Sequence, residues 1–309
     1  ELKVTGGTDW IAQAIAGNSL VAATDGSYIK EHFPELCSAA FTVECNKGRG
    51  RLVGAFAEAS VAANAYRGEL LGLMAVHLLL LAVETVSPGL FGKVAIYSDC
   101  IGALGRVEKL PPYRIPSPCR HSDILKTIMV NCASISFHRE YHHVVAHQDD
   151  HTRWEDLSRA AQLNSACDAG AKAILRSHDI TNLPQQEAFP LEPICMFVEG
   201  KKMTSNTGAH IRYAAGRRIA RSFFHQTNRM FTDAFDEVDW SHVYRTLNKE
   251  VPRLFQVWAC KQVMNIAATN KNLSRRHRDG RSDKCTCCTI HVETAEHVLL
   301  CPEVGRVEA

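Results

Sequence analysis

The sequence has no apolar run long enough to cross a bilayer. Its longest, Leu70 to Val83, is interrupted by Gly72 and His77 and falls short of the ~20 residues a spanning helix needs, so it reads as a buried core helix. No basic N-terminal segment leads into an apolar stretch, so there is no sign of a secretory signal. There is no internal repeat and no low-complexity tract, and neither sign of charge dominates: 35 Lys and Arg against 33 Asp and Glu leave +2. With 46% apolar and 22% charged residues, the composition argues against a disordered tail, a collagen-like chain or a coiled-coil fibre. What remains is a globular chain of 309 residues, most naturally two domains at roughly 150 residues each, or one large domain with an appendage. It begins at Glu1 without a methionine and so reads as a piece of a longer product.

The small net charge hides an asymmetry. Up to residue 180 there are 17 basic and 19 acidic residues, and after it 18 and 14. The excess concentrates in Lys271, Arg275, Arg276, Arg278, Arg281 and Lys284, opposed only by Asp279 and Asp283. Such a segment reads equally as a phosphate-facing surface or as a solvated loop.

Twelve cysteines would suit a disulfide framework, but their placement does not. Eight (Cys37, Cys45, Cys100, Cys119, Cys132, Cys167, Cys195, Cys260) are scattered, mostly within apolar patterns, where free cysteine behaves as a small hydrophobe. The other four, Cys285, Cys287, Cys288 and Cys301, crowd the C-terminal end. This split predicts one metal site and a reducing, intracellular location in nucleus or cytoplasm.

Residues 1 to 16 carry no strong signal. From Leu20 three strand-like segments follow (LVAAT before Asp25, CSAAFTVEC from Cys37, RLVGAFAEA from Arg51), separated by Gly and charge clusters and read as a meander. Ala63 to Glu84 has helical spacing with few breakers, Lys93 to Ser98 reads as a buried strand ending at Asp99, and Ile101 to Leu110 as a short helix. Pro111, Pro112, Pro116 and Pro118 make a stiff loop. A helix is predicted over Asp123 to Ala133, a strand over Ser134 to Ala146, and a second strong helix over Asp156 to Arg176. The order predicts a mixed α/β sheet flanked by helices for residues 17–180. Pro184, Pro190 and Pro193 mark a linker over 181–208. Residues 209–309 read as mainly helical (Ala209 to Phe235, Trp240 to Ala268), closed by a small module at about 285–301.

Four acids stand where a sheet and its helices deliver side chains to one place: Asp25 at the end of the first strand of the meander, Glu69 in the first turns of the long helix, Asp99 at the end of the fourth strand and Asp168 in the last helix of the domain. Taken singly, each has an ordinary explanation as a turn former or a solvent-facing helix residue. Jointly, the motifs TDGS around Asp25, RGEL around Glu69, YSD at Asp99, and a terminal helix with Asn164 four residues before Asp168 resemble the ribonuclease H family over roughly Asn18 to Ser177. The resemblance implies a ribonuclease H-like mixed sheet and two Mg²⁺ or Mn²⁺ ions. It implies that Asp25 bridges both ions, that Asp168 helps hold the one that activates water, and that Glu69 and Asp99 hold the other. It further implies hydrolysis of the RNA strand of an RNA·DNA hybrid to 5′-phosphate and 3′-hydroxyl ends, with Gly26, Ser27 and Asn164 binding substrate.

Members of that family commonly carry a mobile histidine in a short Gly-containing loop about ten residues before the last Asp. Here His147 lies 21 residues before Asp168 and the glycine is missing. It is preferred to His142, His143 and His151 because it follows the apolar Val144-Val145-Ala146.

Cys285-x2-Cys288-x8-His297-x3-Cys301 supplies four ligands at zinc-like spacing, with His297 and Cys301 at i and i+4 on one helix face. Cys287 is a spare for either knuckle partner. The spacing differs from the compact retroviral nucleocapsid knuckle. Together with VPRLFQVWACKQVMN upstream it looks like the zinc-binding segment that follows reverse transcriptase in non-LTR retroelements. That resemblance implies one structural Zn²⁺ and, as partner, an upstream reverse transcriptase domain of the same polyprotein; no membrane is expected. The alternatives are a catalytically inactive ribonuclease H-like connector with a zinc-dependent nucleic-acid-binding role, and another nuclease or transposase on the same fold, which the position of Glu69 fits less well.

Overall fold

Two small-residue stripes, Ala22/Ala39 and Ala23/Ala40, face opposite sides of the sheet and let a helix lie close on each. They belong to β2 (Leu20–Ser27) and β3 (Leu36–Cys45), antiparallel neighbours with Ala22 opposite Val43 and Asp25 opposite Ala40. The computed structural model describes residues 2–109, 115–116, 118–177, 187–264, 266–277 and 279–303. Before β2 come β1 (Leu2–Thr5) and α1 (Asp9–Ala16), in the stretch without sequence signal. After β3 come β4 (Arg51–Ala59), α2 (Ala65–Val86), β5 (Lys93–Ser98), α3 (Ile101–Glu108), α4 (Ser122–Ala133), β6 (His138–His143) and α5 (Arg159–Arg176).

The six strands run in the order β1-β4-β3-β2-β5-β6, with β2, β3 and β4 as the antiparallel meander and β5 and β6 added in parallel. This is a mixed, helix-flanked sheet, as the order of elements along the chain predicts, with β1 as an additional edge strand. One face packs Leu70, Leu71, Leu73 and Leu80 of α2; the other packs Leu163, Cys167 and Ala171 of α5. By length and hydropathy α2 could span a membrane, at 22 residues and a mean hydropathy of 1.9, but 56% of that window is buried.

Several boundaries differ from the sequence reading. The first strand runs through Ser27, so Asp25 lies within it. β6 is confined to six residues, and α5 starts at Arg159, where Ser158 caps it by accepting the Ala161 N–H. The long helix expected from Ala209 divides into α6 (Thr207–Gln226) and α7 (Thr232–Glu237), because Asn228 takes a left-handed φ of 52°, a stop that asparagine tolerates. Pro252 separates α8 (Trp240–Lys249) from α9 (Arg253–Val263); α10 (Asn270–His277) and α11 (Ala295–Leu300) follow. Pro111, Pro112, Pro184 and Arg278 lie outside the described residues.

The chain divides into two compact units, residues 1–219 and 220–309. The division falls within α6 rather than at 180. Residues 187–206, read as linker, lie in the first unit and carry a short hairpin, β7 (Phe197–Val198) and β8 (Lys201–Lys202). The second unit packs Phe224, Phe235 and Trp240 together, with Phe235 and Trp240 ring centroids 4.5 Å apart.

Candidate functional site

β2 and β5 are parallel with Ala23 beside Tyr97, so two residues further along, Asp25 and Asp99 stand side by side at the same end of the sheet. This is where the sheet changes from antiparallel to parallel pairing, the place where open α/β sheets bind ligands. Glu69 arrives from α2. Gly26 and Gly68 let helix and strand touch: a Cβ on Gly26 would lie 2.3 Å from Glu69 N, and one on Gly68 2.8 Å from Ser38 O. The Gly26 N–H donates to Glu69 Oε1 at 3.1 Å, and Ser98 Oγ donates to Glu69 Oε2 at 3.4 Å. Asp25, Glu69 and Asp99 each place a carboxylate oxygen within 4.8 Å of the others.

Asp25 and Glu69 are buried, and burial raises both carboxyl groups well above the ordinary carboxylate range. For Asp25 the next cause is the charge of Asp99; for Glu69 it is the charge of Asp25, then that of Asp99. Three carboxylates this close repel unless protons or cations neutralise them. An all-oxygen set suits a hard divalent ion.

The fourth acid stands apart from this trio. Asp168 adds to the negative potential at Asp25, but its Oδ2 accepts from Lys172 Nζ at 2.6 Å, one helical turn on. Asn164, on the same face of α5, donates from Nδ2 to Asp99 Oδ2 at 3.5 Å, while its buried Oδ1 has no partner among the described residues. Ser27 is buried at the end of β2.

His147 is exposed, with a left-handed φ of 51°, and caps the single turn Gln148–Asp150. That turn is tied to α5 by Ser165 Oγ donating to Asp149 Oδ1 at 2.9 Å. His142 and His143 are exposed on β6, and His142 stacks on Tyr97.

The second unit assembles the cysteine cluster. Cys285, Cys288, His297 and Cys301 hold their donor atoms within 4.8 Å of one another. Cys285 and Cys301 Sγ are 3.8 Å apart, and Cys288 Sγ is 3.3 Å from His297 Nε2. Tetrahedral ligands with zinc–sulfur bonds of about 2.3 Å lie roughly 3.8 Å apart, so this donor set fits zinc. The three cysteines are buried, whereas Cys287 is exposed and outside the cluster. Backbone N–H groups of Cys288 and Cys287 pull the Cys285 thiol below its ordinary value, favouring the thiolate that a metal takes. Thr294 caps α11 by accepting the His297 N–H at 3.0 Å. Glu293 Oε1 accepts the Asn270 N–H at 3.1 Å, which ties the basic helix α10 to the cluster.

Of the eight cysteines read as core fillers, Cys37, Cys45 and Cys167 are buried, four are half-buried and Cys260 is exposed. Ser98 stands in the YSD motif and Lys172 one helical turn past Asp168, but the sequence reading gives neither a role at the site.

No family model and no curated protein matches this sequence. Among solved structures, the chain is similar to the protease–reverse transcriptase of prototype foamy virus, at 16% identity and a TM-score of 0.40, over 53% of this chain and 22% of that one. It is also similar to the ribonuclease H domain of that virus (16%, TM-score 0.37, 50% and 93% of the two chains). A third is the N-terminal ribonuclease H domain of a Mycobacterium tuberculosis protein, solved as a fusion with maltose-binding protein (13%, TM-score 0.35, 51% and 94%). The chain thus spans about a fifth of the foamy virus protease–reverse transcriptase.

Proposed function

We propose that this chain is a divalent-metal-dependent ribonuclease that cuts the RNA strand of RNA·DNA hybrids. It would serve the reverse transcription of a retroelement, beside a reverse transcriptase domain of the same polyprotein. The observation that carries the nuclease reading is the gathering of Asp25, Glu69 and Asp99 from three separate elements into one patch, with Asp25 and Glu69 buried and Asp99 half-buried. The retroelement role is supported by the TDGS, RGEL and YSD motifs standing in one chain with the Cys-Cys-His-Cys cluster.

Two Mg²⁺ or Mn²⁺ ions supply, when bound, an activated water and stabilisation of the leaving oxygen. The chain's own residues do the rest. Asp25, Glu69 and Asp99 would hold the ions, with Asp168 beside them, and Gly26 and Ser98 orient Glu69. Asn164 keeps a free acceptor oxygen next to Asp99, a place for a hydroxyl donor of the substrate; the 2′-hydroxyl is the group that tells RNA from DNA. Gly26 and Ser27 border the same site. Water attacks phosphorus and the P–O3′ bond breaks, leaving 5′-phosphate and 3′-hydroxyl ends, and His147 in its exposed turn assists departure of the product. One structural Zn²⁺ at Cys285, Cys288, His297 and Cys301 holds the basic helix α10, with Arg275 and Arg276 exposed, toward nucleic acid; four protein ligands leave no open position for catalysis. A thiolate site of this kind belongs in a reducing compartment, nucleus or cytoplasm.

One observation favours the second reading, an inactive connector: the Lys172 ammonium sits where Asp168 would receive a cation. A cleavage assay on hybrid, duplex DNA and duplex RNA with Mg²⁺ and with Mn²⁺ separates the two. Cleavage of hybrid alone, abolished by Asp99→Asn, is the expected result. Binding of hybrid without cleavage under either ion would establish the connector instead.

A further inference from the structure

In Arg67-Gly68-Glu69, three successive residues face three ways. Glu69 enters the carboxylate patch and Gly68 packs on the sheet, while Arg67 turns into a buried charge network on the other side of α2. Its guanidinium donates to both oxygens of Glu58 at 2.7 Å and to both oxygens of Asp123 at 3.2 and 2.8 Å. Asp123 lies 3.7 Å from Lys202 Nζ, which in turn pairs with Glu192 at 2.7 Å. The Lys202 ammonium also sits 3.3 Å from the Phe189 ring centre, and Arg67 lies over the same ring at 5.7 Å. Both cations are essentially inaccessible to solvent. A lysine is almost never fully buried unless paired, and Lys202, its partner Glu192 and the Phe189 ring all come from residues 189–202, a stretch whose prolines read as linker. Thr204 O closes the attachment by accepting the N–H and the hydroxyl of Ser122 at the start of α4.

We propose that residues 187–204 are a strap that positions Glu69, with Lys202 as its positioning residue. Its Lys202 pairs with Asp123 and with the strap's own Glu192, and so holds Asp123 in place beside the Arg67 fork. That fork holds the first turn of α2 at the angle which delivers Glu69 to Asp25 and Asp99. The inference rests on the metal-binding reading of the carboxylate patch. A chain cut after α5 would keep the Arg67 pairs with Glu58 and Asp123 but lack Lys202, the second cation beside Asp123.

The test is Mn²⁺ titration of the full chain, wild type against Lys202→Met, Lys202→Arg and Glu192→Gln, with circular dichroism and zinc content recorded for each. A group bonded directly to a metal ligand is worth about ten- to a hundredfold in affinity; Lys202 acts one step further out, through Asp123 and Arg67, so Lys202→Met should raise the Mn²⁺ dissociation constant by up to about tenfold at unchanged zinc content. Lys202→Arg should restore near wild-type binding, and Glu192→Gln should give a smaller loss. If Lys202→Met does not fold, the Glu192→Gln and Lys202→Arg pair decides. Folded variants that bind Mn²⁺ as wild type does would overturn the strap and leave the metal site standing. A wild-type chain that binds no Mn²⁺ would overturn the metal reading itself, and the strap's role with it.

Discussion

Gly26 and Glu69 meet where β2 passes under α2: the glycine N–H donates to the Glu69 carboxylate at 3.1 Å, and no room exists between them for a side chain. Gly26→Ala would set a methyl 2.3 Å from the Glu69 backbone nitrogen. Overpacking of this kind costs about 1–3 kcal/mol, and here the relief is movement of α2 away from the sheet. The expected outcome is a lower thermal midpoint together with loss of most cleavage activity. A variant as active as wild type would show that Glu69 is not held by this contact.

The raised carboxyl groups give a pH dependence with a definite sign. Asp25 and Glu69 hold protons in the folded state that the unfolded chain has already released, so their contribution to stability is complete in acid, below the unfolded carboxylate values. It is lost as pH rises through the folded ones. Without divalent ions the thermal midpoint of the first unit should therefore fall between about pH 4 and pH 8 on this account. Added Mg²⁺ should raise it more at pH 8 than at pH 5. Calorimetry at the two pH values checks both statements.

Asp99→Asn should separate stability from activity. Removing the Asp99 charge takes away the largest electrostatic repulsion on Asp25 and one of the two on Glu69. The metal-free variant should be more stable than wild type at pH 8, by on the order of 1 kcal/mol, and inactive. A destabilised variant would mean that Asp99 has a structural role instead.

Lys172 competes with any cation for Asp168. The pair is partly exposed and lies at i,i+4, so it contributes at most about 1 kcal/mol. Lys172→Met should lower the Mg²⁺ concentration needed for half-maximal cleavage by up to about fivefold. An unchanged Mg²⁺ requirement would show that Asp168 is not a ligand.

Elemental analysis should find one zinc per chain. Cys287→Ser should retain it and Cys285→Ser lose it, since only Cys285 points into the cluster. Because Glu293 and Asn270 tie α10 to the metal-binding segment, chelation should also melt α10, while the sheet of the first unit keeps its circular dichroism. Zinc retained by Cys285→Ser would overturn the ligand set.

Much of this was legible along the chain. The meander, the long helix and the parallel strands show themselves by alternation and by helical spacing, and Lys93–Ser98 is found to the residue. The acids and the metal-ligand cysteines declare themselves by type and spacing. The misreadings have local causes. β1 pairs with β4 at the sheet edge and exposes all four residues, so it carries no burial pattern. The helix after Ala209 breaks at Asn228 because of a backbone angle. Asp25 reads as a strand end because Asp-Gly usually turns a chain, whereas here the glycine serves the helix crossing.

By itself, then, the sequence determined which residues could carry chemistry and which segments would be strands and helices, since both follow from residue type and short-range periodicity. Only the tertiary structure decided which of those residues meet. Parallel pairing of β2 with β5, and a helix crossing made of two glycines, bring Asp25, Glu69 and Asp99 together. The course of α5 leaves Asp168 with Lys172. Residues 187–204, proline-marked, join the domain because Lys202 and Thr204 find Asp123 and Ser122 at the start of α4, far away along the chain. Long-range pairing of this kind leaves no trace in composition or spacing, because it is set by the geometry of the sheet.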